Sequence, residues 1–413
     1  MKRIFILALF TGCCGIRPPN PIQSPLAPEP NPSEVTHRIL AYGDTRTGAV
    51  IFENQDNAGE AVHDWVASQM VARLGNEKAD VVFTGDSVYA GGATFHYDNF
   101  VEAISRFKAA GLNYFPCVGN HELLAGIIGV ISPWFEAGGA EAQTVQASTP
   151  HETQWKEFIA DRHNELKKPG HQNKIPKHVV DKLDARSKAM ENQILPKLEA
   201  DSLSRSAADR IESGRRVMES IYVKRAGFQY LSQFYITEKR TFYSIESISK
   251  KPTVLMMMLD TNSLDYLLQK QWFKETLAAS KHDLILVFGH HPPGTIEGWD
   301  SDYMSAFKSH KKAVIWVTSH VHAFVYAFPE APAGIPSRAL FISGGGGAPL
   351  VESDEQAVPI RGWKFGPAND LDGRFFHFLD IRTTENAVFV TVLGCLKKGE
   401  PMKVKATYKV RLP

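Results

Sequence analysis

Cysteine is scarce in this sequence, and its scarcity excludes one common kind of site. Only four cysteines occur in 413 residues, and two of them, Cys13 and Cys14, belong to an apolar N-terminal segment. No pair has the spacing of a zinc finger. Cys117 and Cys395 lie in apolar, strand-like runs, where a cysteine behaves as a small hydrophobic side chain. We expect two buried thiols, while export would also permit a disulfide.

An excess of charge of either sign is lacking as well. The chain has 46 Lys and Arg against 45 Asp and Glu. A nucleic-acid-binding protein would show a basic excess or stripe, so no specific nucleic-acid binding is expected. A phosphorylated small molecule needs only a local site, and this class of partner stays open.

A long hydrophobic run is lacking at the N-terminus, where the apolar stretch from Ile4 to Phe10 is too short to span a bilayer. Two cations precede it and small residues follow, which predicts an export signal over residues 1–14. The sequence "FTGC" resembles a bacterial lipobox, in which Cys13 would carry the lipid; an ordinary cleaved signal peptide is the alternative. The proline-rich residues 15–35 predict an extended linker. We expect a lipoprotein of the bacterial cell envelope or outer surface, otherwise a periplasmic or secreted protein, with the lipid anchor as its only membrane contact.

Residues 36–413 predict one α/β domain. Short apolar runs at 38–44, 80–86 and 113–122 alternate with helical patterns at 58–75 and 97–110, which indicates parallel strands with helical crossovers. Strand-like runs resume near residue 240 and continue to the C-terminus. We expect two sheets packed face to face with helices outside.

The polar segment at about 136–225 interrupts this pattern. It is rich in Lys and Glu, compatible with helix and without a long apolar face. We interpret it as a helical insertion. A cap over the site and a solvated insertion without a catalytic part are both open.

Five polar clusters follow five predicted strands: "YGDTR" (42–46), "TGDSVY" (84–89), "VGNHE" (118–122), "FGHHP" (288–292) and "TSHVH" (318–322). The carboxyl ends of strands in an open α/β sheet are where ligands bind. The clusters offer carboxylates, imidazoles and an amide oxygen, but no thiolate. These groups are suitable ligands for a divalent or trivalent metal ion. The sequence therefore predicts a metal site rather than a set of polar turns.

These motifs, in this order, resemble the calcineurin-like metallophosphoesterase superfamily, with features of its purple acid phosphatase branch. The resemblance runs from about Leu40 to His322, and "SGGGGAPL" (343–350) also matches. It implies a four-layer α/β/β/α sandwich of two mixed sheets with flanking helices, carrying a two-metal centre. It implies these metal ligands: Asp86 for both ions, Asn120, His290 and His320 for one, Asp44 and His322 for the other.

The resemblance also implies a chemistry. Two metal ions would activate a water and stabilise the attacking and leaving oxygens of a phosphoryl transfer. His121 would protonate the leaving group, with Glu122 or another acid orienting it. Asp86 and Asn120 count with His121 as catalytic residues. Asn120 and His291 are expected to contact substrate.

Two positions depart from the superfamily pattern: Ser319, where glycine usually stands and where no loss of metal binding is expected, and Arg46, which affects the metal ligands. Arg46 stands where the commonest first motif has histidine, and a guanidinium has no lone pair to bind a cation. Tyr89 is the candidate replacement, because a tyrosine at this spacing is typical of the purple acid phosphatase branch; an aromatic packing beside the site is the alternative. Arg46 itself would either bind the substrate phosphate or form a salt bridge to a neighbouring carboxylate.

The metals follow from Tyr89. If it is a ligand, we expect Fe(III) with a divalent ion (Fe, Zn or Mn); otherwise Mn, Zn, Fe or Mg. The expected function is hydrolysis of phosphate monoesters, as in an acid phosphatase. A phosphodiesterase or nucleotidase, and a metal-binding surface protein without catalysis, are the alternatives.

Overall fold

The computed structural model describes residues 26–46, 60–88, 94–123, 193–247, 251–293, 302–328, 338–351, 364–367 and 372–412, with isolated positions between 150 and 192 and at 295. The predicted signal segment, much of the linker, Tyr89 and most of the predicted insertion lie outside the described residues. No helix among the described residues is both long and apolar enough to cross a membrane.

The described strands form two mixed sheets. The first has six strands in the order β13-β12-β11-β1-β2-β3, and the second has seven in the order β10-β8-β9-β7-β6-β5-β4. The strands are β1 His37–Tyr42, β2 Asp80–Phe83, β3 Asn113–Pro116, β4 Tyr243–Glu246, β5 Val254–Met258, β6 Leu284–Phe288, β7 Ala313–Thr318, β8 Phe324–Ala327, β9 Arg338–Ser343, β10 Lys364–Phe365, β11 Phe376–Thr384, β12 Ala387–Cys395 and β13 Lys403–Arg411.

Parallel strands form one half of the first sheet, out to its edge strand β3, and the centre of the second sheet. β1, β2 and β3 run parallel, as do β5, β6, β7 and β9. The last three long strands, β11 to β13, are joined by antiparallel pairing to one another and to β1. Because the parallel strands end at the same edge of their sheet, the loops that follow them are brought together there.

Helices cover the outer faces. The described helices are α1 Glu60–Leu74, α2 Thr94–Ala109, α3 Leu195–Ser204, α4 Ala207–Met218, α5 Leu267–Ala279 and α6 Met304–Ser309. The first two are crossovers between parallel strands, and their ends lie within three residues of the helical patterns predicted at 58–75 and 97–110. The mixed α/β fold with two mixed sheets and flanking helices is confirmed.

Alternation along the central strands produces the layers. In β5, Val254, Met256 and Met258 belong to the core shared with the first sheet. Leu255 and Met257 belong to a second core with residues of α5 and α6. A strand that is buried on both faces needs an almost continuous apolar run, which explains the sequence "VLMMM".

The end of the predicted insertion lies in the main core. A π-helical segment, Glu219–Arg225, continues directly from α4. Met218, Ile221 and Tyr222 are fully buried in the core shared by the sheets. The division into signal segment, linker, domain and insertion stays a prediction. Cys117 and Cys395 are both buried free thiols.

Candidate metal centre

The five motifs meet where the two sheets present the carboxyl ends of β1, β2, β3, β6 and β7. The structure brings together Asp44, Arg46, Asp86, Asn120, His121, His290, His291, His320 and His322. Both aspartates and His290 are fully buried, and His121 is 1% exposed. Tyr89, the remaining predicted ligand, lies outside the described residues.

One group of atoms surrounds His290. Its Nε2 lies 2.8 Å from Oδ1 of Asn120, 3.3 Å from Oδ1 of Asp86 and 3.2 Å from Nδ1 of His320. Its Nδ1 lies 3.0 Å from the carbonyl oxygen of Thr84, which can only accept, so Nδ1 carries the proton and Nε2 presents a lone pair. His320 can donate at most one proton to this group. Lone pairs therefore converge, as a cation would require.

A second group has the same character. Nε2 of His322 lies 3.6 Å from Oδ1 of Asp44. Nδ1 of His322 is 2.6 Å from the carbonyl oxygen of Pro349, which again fixes the proton on Nδ1 and leaves Nε2 as an acceptor.

Three acceptor atoms at this position lack a hydrogen-bond partner in the described part of the chain, namely Oδ1 of Asp44, Oδ2 of Asp86 and Nε2 of His322, as does one donor, Nε of Arg46. A buried acceptor without a partner is costly, and a metal ion would satisfy all three. Two overlapping sets of side chains could hold a metal ion by the spacing of their ligand atoms: His290, His291 and His320, and Asp44, Asp86 and His290. The donor set, nitrogen and oxygen without sulfur, fits a borderline or hard cation.

The pKa values of the aspartates and histidines also favour a bound cation. Burial raises the pKa of Asp44 to about 8, although the nearby charge of Arg46 acts in the opposite direction. Burial, and then the charge of Asp44, raises the pKa of Asp86. Burial lowers the pKa of His320 to about 4 and lowers that of His290 as well. Neutral imidazoles are ligands, and buried carboxylates without a counter-charge attract a metal ion.

The backbone at the site is strained. Asp44, Arg46, Asp86 and His320 have positive φ angles of 56°, 42°, 60° and 70°. Residues with a Cβ rarely adopt this conformation, which costs about 1–3 kcal/mol each and persists where surrounding contacts impose it. The strain turns these side chains away from the strand direction and toward the site.

Glu122 forms hydrogen bonds that its sequence motif did not predict. Its carboxylate accepts hydrogen bonds from the backbone N–H of Asp86 at 3.0 Å, Ser87 at 2.6 Å and Gly119 at 2.7 Å. It also bonds the hydroxyl of Ser87. Glu122 therefore connects the loop after β2 to the loop after β3. The expectation that Glu122 or another acid orients His121 stays a prediction. The backbone N–H of His121 donates to Oδ1 of Asp86 at 3.0 Å.

His291 forms two hydrogen bonds with Thr261, a residue that belongs to none of the five motifs. Oγ1 of Thr261 lies 2.9 Å from its Nδ1 and accepts from its backbone N–H at 2.9 Å. The His291 ring centroid is 4.5 Å from that of His320. Thr261 follows β5 as part of an ordinary polar turn, so its sequence carried no signal of this contact.

The glycine run at 344–347 allows a close approach. A Cβ on Gly344 would lie 2.7 Å from Oδ2 of Asp44 and 2.1 Å from the carbonyl oxygen of Val321. The N–H of Gly346 donates to the carbonyl of Gly43 at 2.9 Å. A side chain at Gly344 would therefore collide with Asp44 and with the loop after β7.

Comparison with known proteins adds little beyond this geometry. No protein-family model and no curated protein matches the sequence. Among solved structures, this chain is similar to the 5'-nucleotidase of Candida albicans, with 10% identity, a TM-score of 0.33 and coverage of 75% of this chain and 45% of the other. The 5'-nucleotidase precursor of Thermus thermophilus has 10% identity, a TM-score of 0.31 and coverage of 91% and 54%.

A third structure is the sulfate thiohydrolase SoxB of Thermus thermophilus in complex with glycerol, with 7% identity, a TM-score of 0.32 and coverage of 92% and 57%. The chain spans about half the length of these three proteins. Similarities of this size carry no conclusion about the activity of this chain.

Proposed function

We propose that this protein is a metal-dependent hydrolase of phosphate monoesters. The observation that carries the proposal is that buried atoms with free lone pairs face one another. The opposite ring nitrogen of each histidine is already used in a hydrogen bond. His290 and His322 each direct their protonated nitrogen at a backbone carbonyl and present the other nitrogen to aspartate oxygens. Oδ1 of Asp44 and Oδ2 of Asp86 have no hydrogen-bond donor among the described residues, whereas a purely structural cluster would supply one.

The residues divide into two sets of ligands. Asn120, His290 and His320 with Oδ1 of Asp86 would hold one ion, and Asp44 and His322 with Oδ2 of Asp86 the other. Bound metal ions would supply positive charge to the phosphate and lower the pKa of water, which is the chemistry that phosphoester hydrolysis needs.

Three further residues act on the substrate. His121 is buried, lies 3.7 Å (Nε2) from Oδ2 of Asp86, and donates a proton to the leaving oxygen. The Arg46 side chain is 16% exposed, so a phosphate oxygen can reach its guanidinium. His291, anchored by Thr261, contacts the substrate beside Asn120.

Two chromogenic esters test the activity. Purified protein loaded with Mn²⁺, Zn²⁺ or iron is assayed with p-nitrophenyl phosphate and bis-p-nitrophenyl phosphate. The expected result is faster turnover of the monoester, lost in Asn120→Ala, with His282→Ala as the matched control outside the site. Faster turnover of the diester would instead identify a phosphodiesterase. Metal binding without turnover of either ester would identify a metal-binding protein without catalysis.

His121 is tested through the leaving group. Replacing it with Ala is expected to slow esters of alkyl alcohols much more than p-nitrophenyl phosphate, because nitrophenolate leaves without a proton. Equal loss for both substrates would contradict the role of general acid.

Tyr89 and the metals form a separate part of the proposal. With Tyr89 as a ligand, the native centre holds Fe(III) and a divalent ion of iron, zinc or manganese. A visible ferric-phenolate band in the aerobically purified protein, absent from Tyr89→Phe, is the expected result. A colourless protein that is fully active with Mn²⁺ and indifferent to the substitution would remove Tyr89 from the site.

We also propose export with a lipid on Cys13, on the sequence of residues 1–14 alone. Growth with labelled palmitate should label the wild-type chain and leave Cys13→Ser unlabelled. An unlabelled wild-type chain in the periplasm or medium would point to an ordinary signal peptide.

A further inference from the structure

The last strand of the first sheet, β13, and the turn before it carry a surplus of positive charge. Residues 396–411, the hairpin edge, contain six cationic side chains and one acid, Glu400, whereas the formal net charge of the whole chain is +1. The cations are Lys397, Lys398, Lys403, Lys405, Lys409 and Arg411. All of them are exposed except Lys405, which is half-buried. None forms an ion pair with another described residue.

The positive charge extends along the whole edge strand. β13 spans nine residues, which corresponds to a length of about 27 Å. Two of its lysines lie over aromatic rings: Nζ of Lys405 is 5.4 Å from the ring centroid of Phe375, and Nζ of Lys409 is 5.4 Å from that of Phe389. A cation–π contact orients an ammonium group and supplies no opposite charge. The hairpin edge is therefore a strip of cations that are held in place and not neutralised.

Aliphatic side chains are exposed among these cations. Leu396 in the turn is 59% exposed, and Val404 on β13 is 46% exposed. Lysines on an edge strand often prevent sheets from pairing edge to edge, which would explain the charge alone. Protection of this kind does not explain an exposed leucine and valine in the same strip. Cations and aliphatic groups side by side bind an anionic membrane, through charge and apolar area together.

The described residues begin against this strand. Leu26 forms a β-bridge with Tyr408. The backbone N–H of Ala27 donates to the carbonyl oxygen of Thr407 at 3.0 Å. If Cys13 carries a lipid, the chain from Cys13 to Leu26 can span at most about 45 Å, whatever its conformation. The proposed anchor therefore leads to the hairpin edge before it reaches any other part of the described domain.

We propose that the hairpin edge is a membrane-contacting surface that binds the headgroups of anionic phospholipids. The lipid phosphates would pair with the lysine ammonium groups, while Leu396 and Val404 would enter the layer between headgroups and acyl chains. The sequence predicted the lipid on Cys13 as the only membrane contact, and this surface would be a second one. The inference uses no residue of the metal centre, so it stands or fails separately from the proposed function.

Vesicle binding by the full-length chain tests this surface. Cys13→Ser prevents attachment of the lipid, and the N-terminal apolar segment is common to every chain compared. Co-sedimentation is measured with vesicles of phosphatidylcholine alone and of phosphatidylcholine with about one-third phosphatidylglycerol. The chain is expected to bind the anionic vesicles at least about tenfold more tightly in low salt. The difference should shrink in high salt, because exposed charges are screened.

Two triple variants in the Cys13→Ser chain locate the binding surface. The first neutralises the hairpin edge: Lys397→Gln, Lys398→Gln and Lys403→Gln. The matched control changes three exposed lysines near β6 and β7: Lys281→Gln, Lys308→Gln and Lys311→Gln. Both remove three positive charges, so a difference between them reflects position. The first variant should bind anionic vesicles at least about tenfold more weakly, and the control should bind them as the parent chain does.

Four results would overturn the inference while leaving the metal centre untouched. The first two are equal binding of both vesicle types by the parent chain and equal loss in the two triple variants. The third is equally salt-sensitive binding to double-stranded DNA that the first variant also loses, which would identify a general polyanion surface. The fourth is unchanged vesicle binding by a first variant that forms dimers in sedimentation velocity, which would assign the lysines to protection of the sheet edge.

Discussion

Two fully buried aspartates of the described residues, Asp380 and Asp86, lie in charged clusters that are built on opposite principles. Asp380 on β11 is fully buried and accepts hydrogen bonds from three arginines: Arg38 at 2.8 and 2.9 Å, Arg73 at 3.1 Å and Arg382 at 2.8 and 3.1 Å. Asp86 after β2 is equally buried, yet its Oδ2 has no hydrogen-bond donor among the described residues.

The pKa values of these two aspartates express the difference. Burial alone would raise the pKa of Asp380, but the hydrogen bonds and charge of Arg38 and Arg382 bring it below its usual value. Burial raises the pKa of Asp86 well above its usual value, and the charge of Asp44 adds to this. In the first cluster the arginines outweigh the effect of burial, whereas in the second the charge of Arg46 does not outweigh burial and the charge of Asp44.

The largest expected effect comes from removing the charge of Asp86. Asp86→Asn should lower phosphatase activity by about 10³-fold or more, equivalent to about 4 kcal/mol of transition-state stabilisation. The metal-free variant should be more stable than the metal-free wild type by at least about 1.4 kcal/mol, because it lacks a buried carboxyl whose pKa burial and the charge of Asp44 raise in the folded state. Steady-state kinetics and urea unfolding in chelator check the two parts. A less stable metal-free variant would contradict the contrast between the clusters.

The same substitution in the other cluster should act in the opposite direction. Asp380→Asn should lower the free energy of unfolding by about 3–5 kcal/mol, because three arginines then share a neutral partner in a buried site. The variant should still bind metal. Because the folded-state pKa of Asp380 is depressed, its contribution is complete above about pH 3.9 and is lost as the pH falls through the folded value. Urea unfolding at pH 7 and at pH 3 gives both results.

The sequence located the site better than it located its supports. Asp86, Asn120 and His290 are each the first polar, functional residues after an apolar run and a glycine, so local pattern alone indicated them. Glu122 was noticed for its motif, but its bonds to the loop after β2 depend on how β2 and β3 pair. The hydrogen bonds between Thr261 and His291 join two loops of the second sheet, and the spacing of residues in the sequence does not indicate them.

Arg46 is a residue whose role the sequence alone did not determine. Two roles were open for it, a phosphate contact and a salt bridge to a neighbouring carboxylate, and local sequence favoured neither. The position of its Nε beside Oδ2 of Asp86 supplies the salt bridge in the free protein. The Asp380 cluster was not predicted at all, because Arg38, Arg73 and Asp380 come from distant parts of the chain and are joined by strand pairing and helix packing.

Removal of metal should also distinguish the two clusters, through its effect on the melting temperature of their variants. A ligand that binds only the folded state stabilises it by about 2.7 kcal/mol at a free concentration one hundred times its dissociation constant. Chelation should therefore lower the melting temperature of the wild type and of Asp380→Asn to a similar extent. Asp86→Asn should respond much less. Calorimetry with and without chelator provides the measurement, and an unchanged wild-type melting temperature would show that no cation stabilises the fold.

The expected effect that is smallest at neutral pH concerns a buried group that uses neither principle. His63 is fully buried on α1, its ring stacks on Phe100 at 5.1 Å between centroids, and its Nε2 lies 3.3 Å from the hydroxyl of Tyr42. Burial lowers its pKa to about 3, so the folded protein keeps it neutral.

The sign of its pH dependence follows from that pKa. The unfolded chain binds a proton at His63 below about pH 6.5 and the folded chain does not until about pH 3, so acid favours unfolding over this window. The cost is about 1.4 kcal/mol for each pH unit below about 6.5. His63→Phe should flatten the loss of stability between pH 6 and pH 4, as measured by urea unfolding in chelator. His282→Ala is the control at a partly exposed histidine, and an unchanged slope in His63→Phe would show that His63 does not stay neutral.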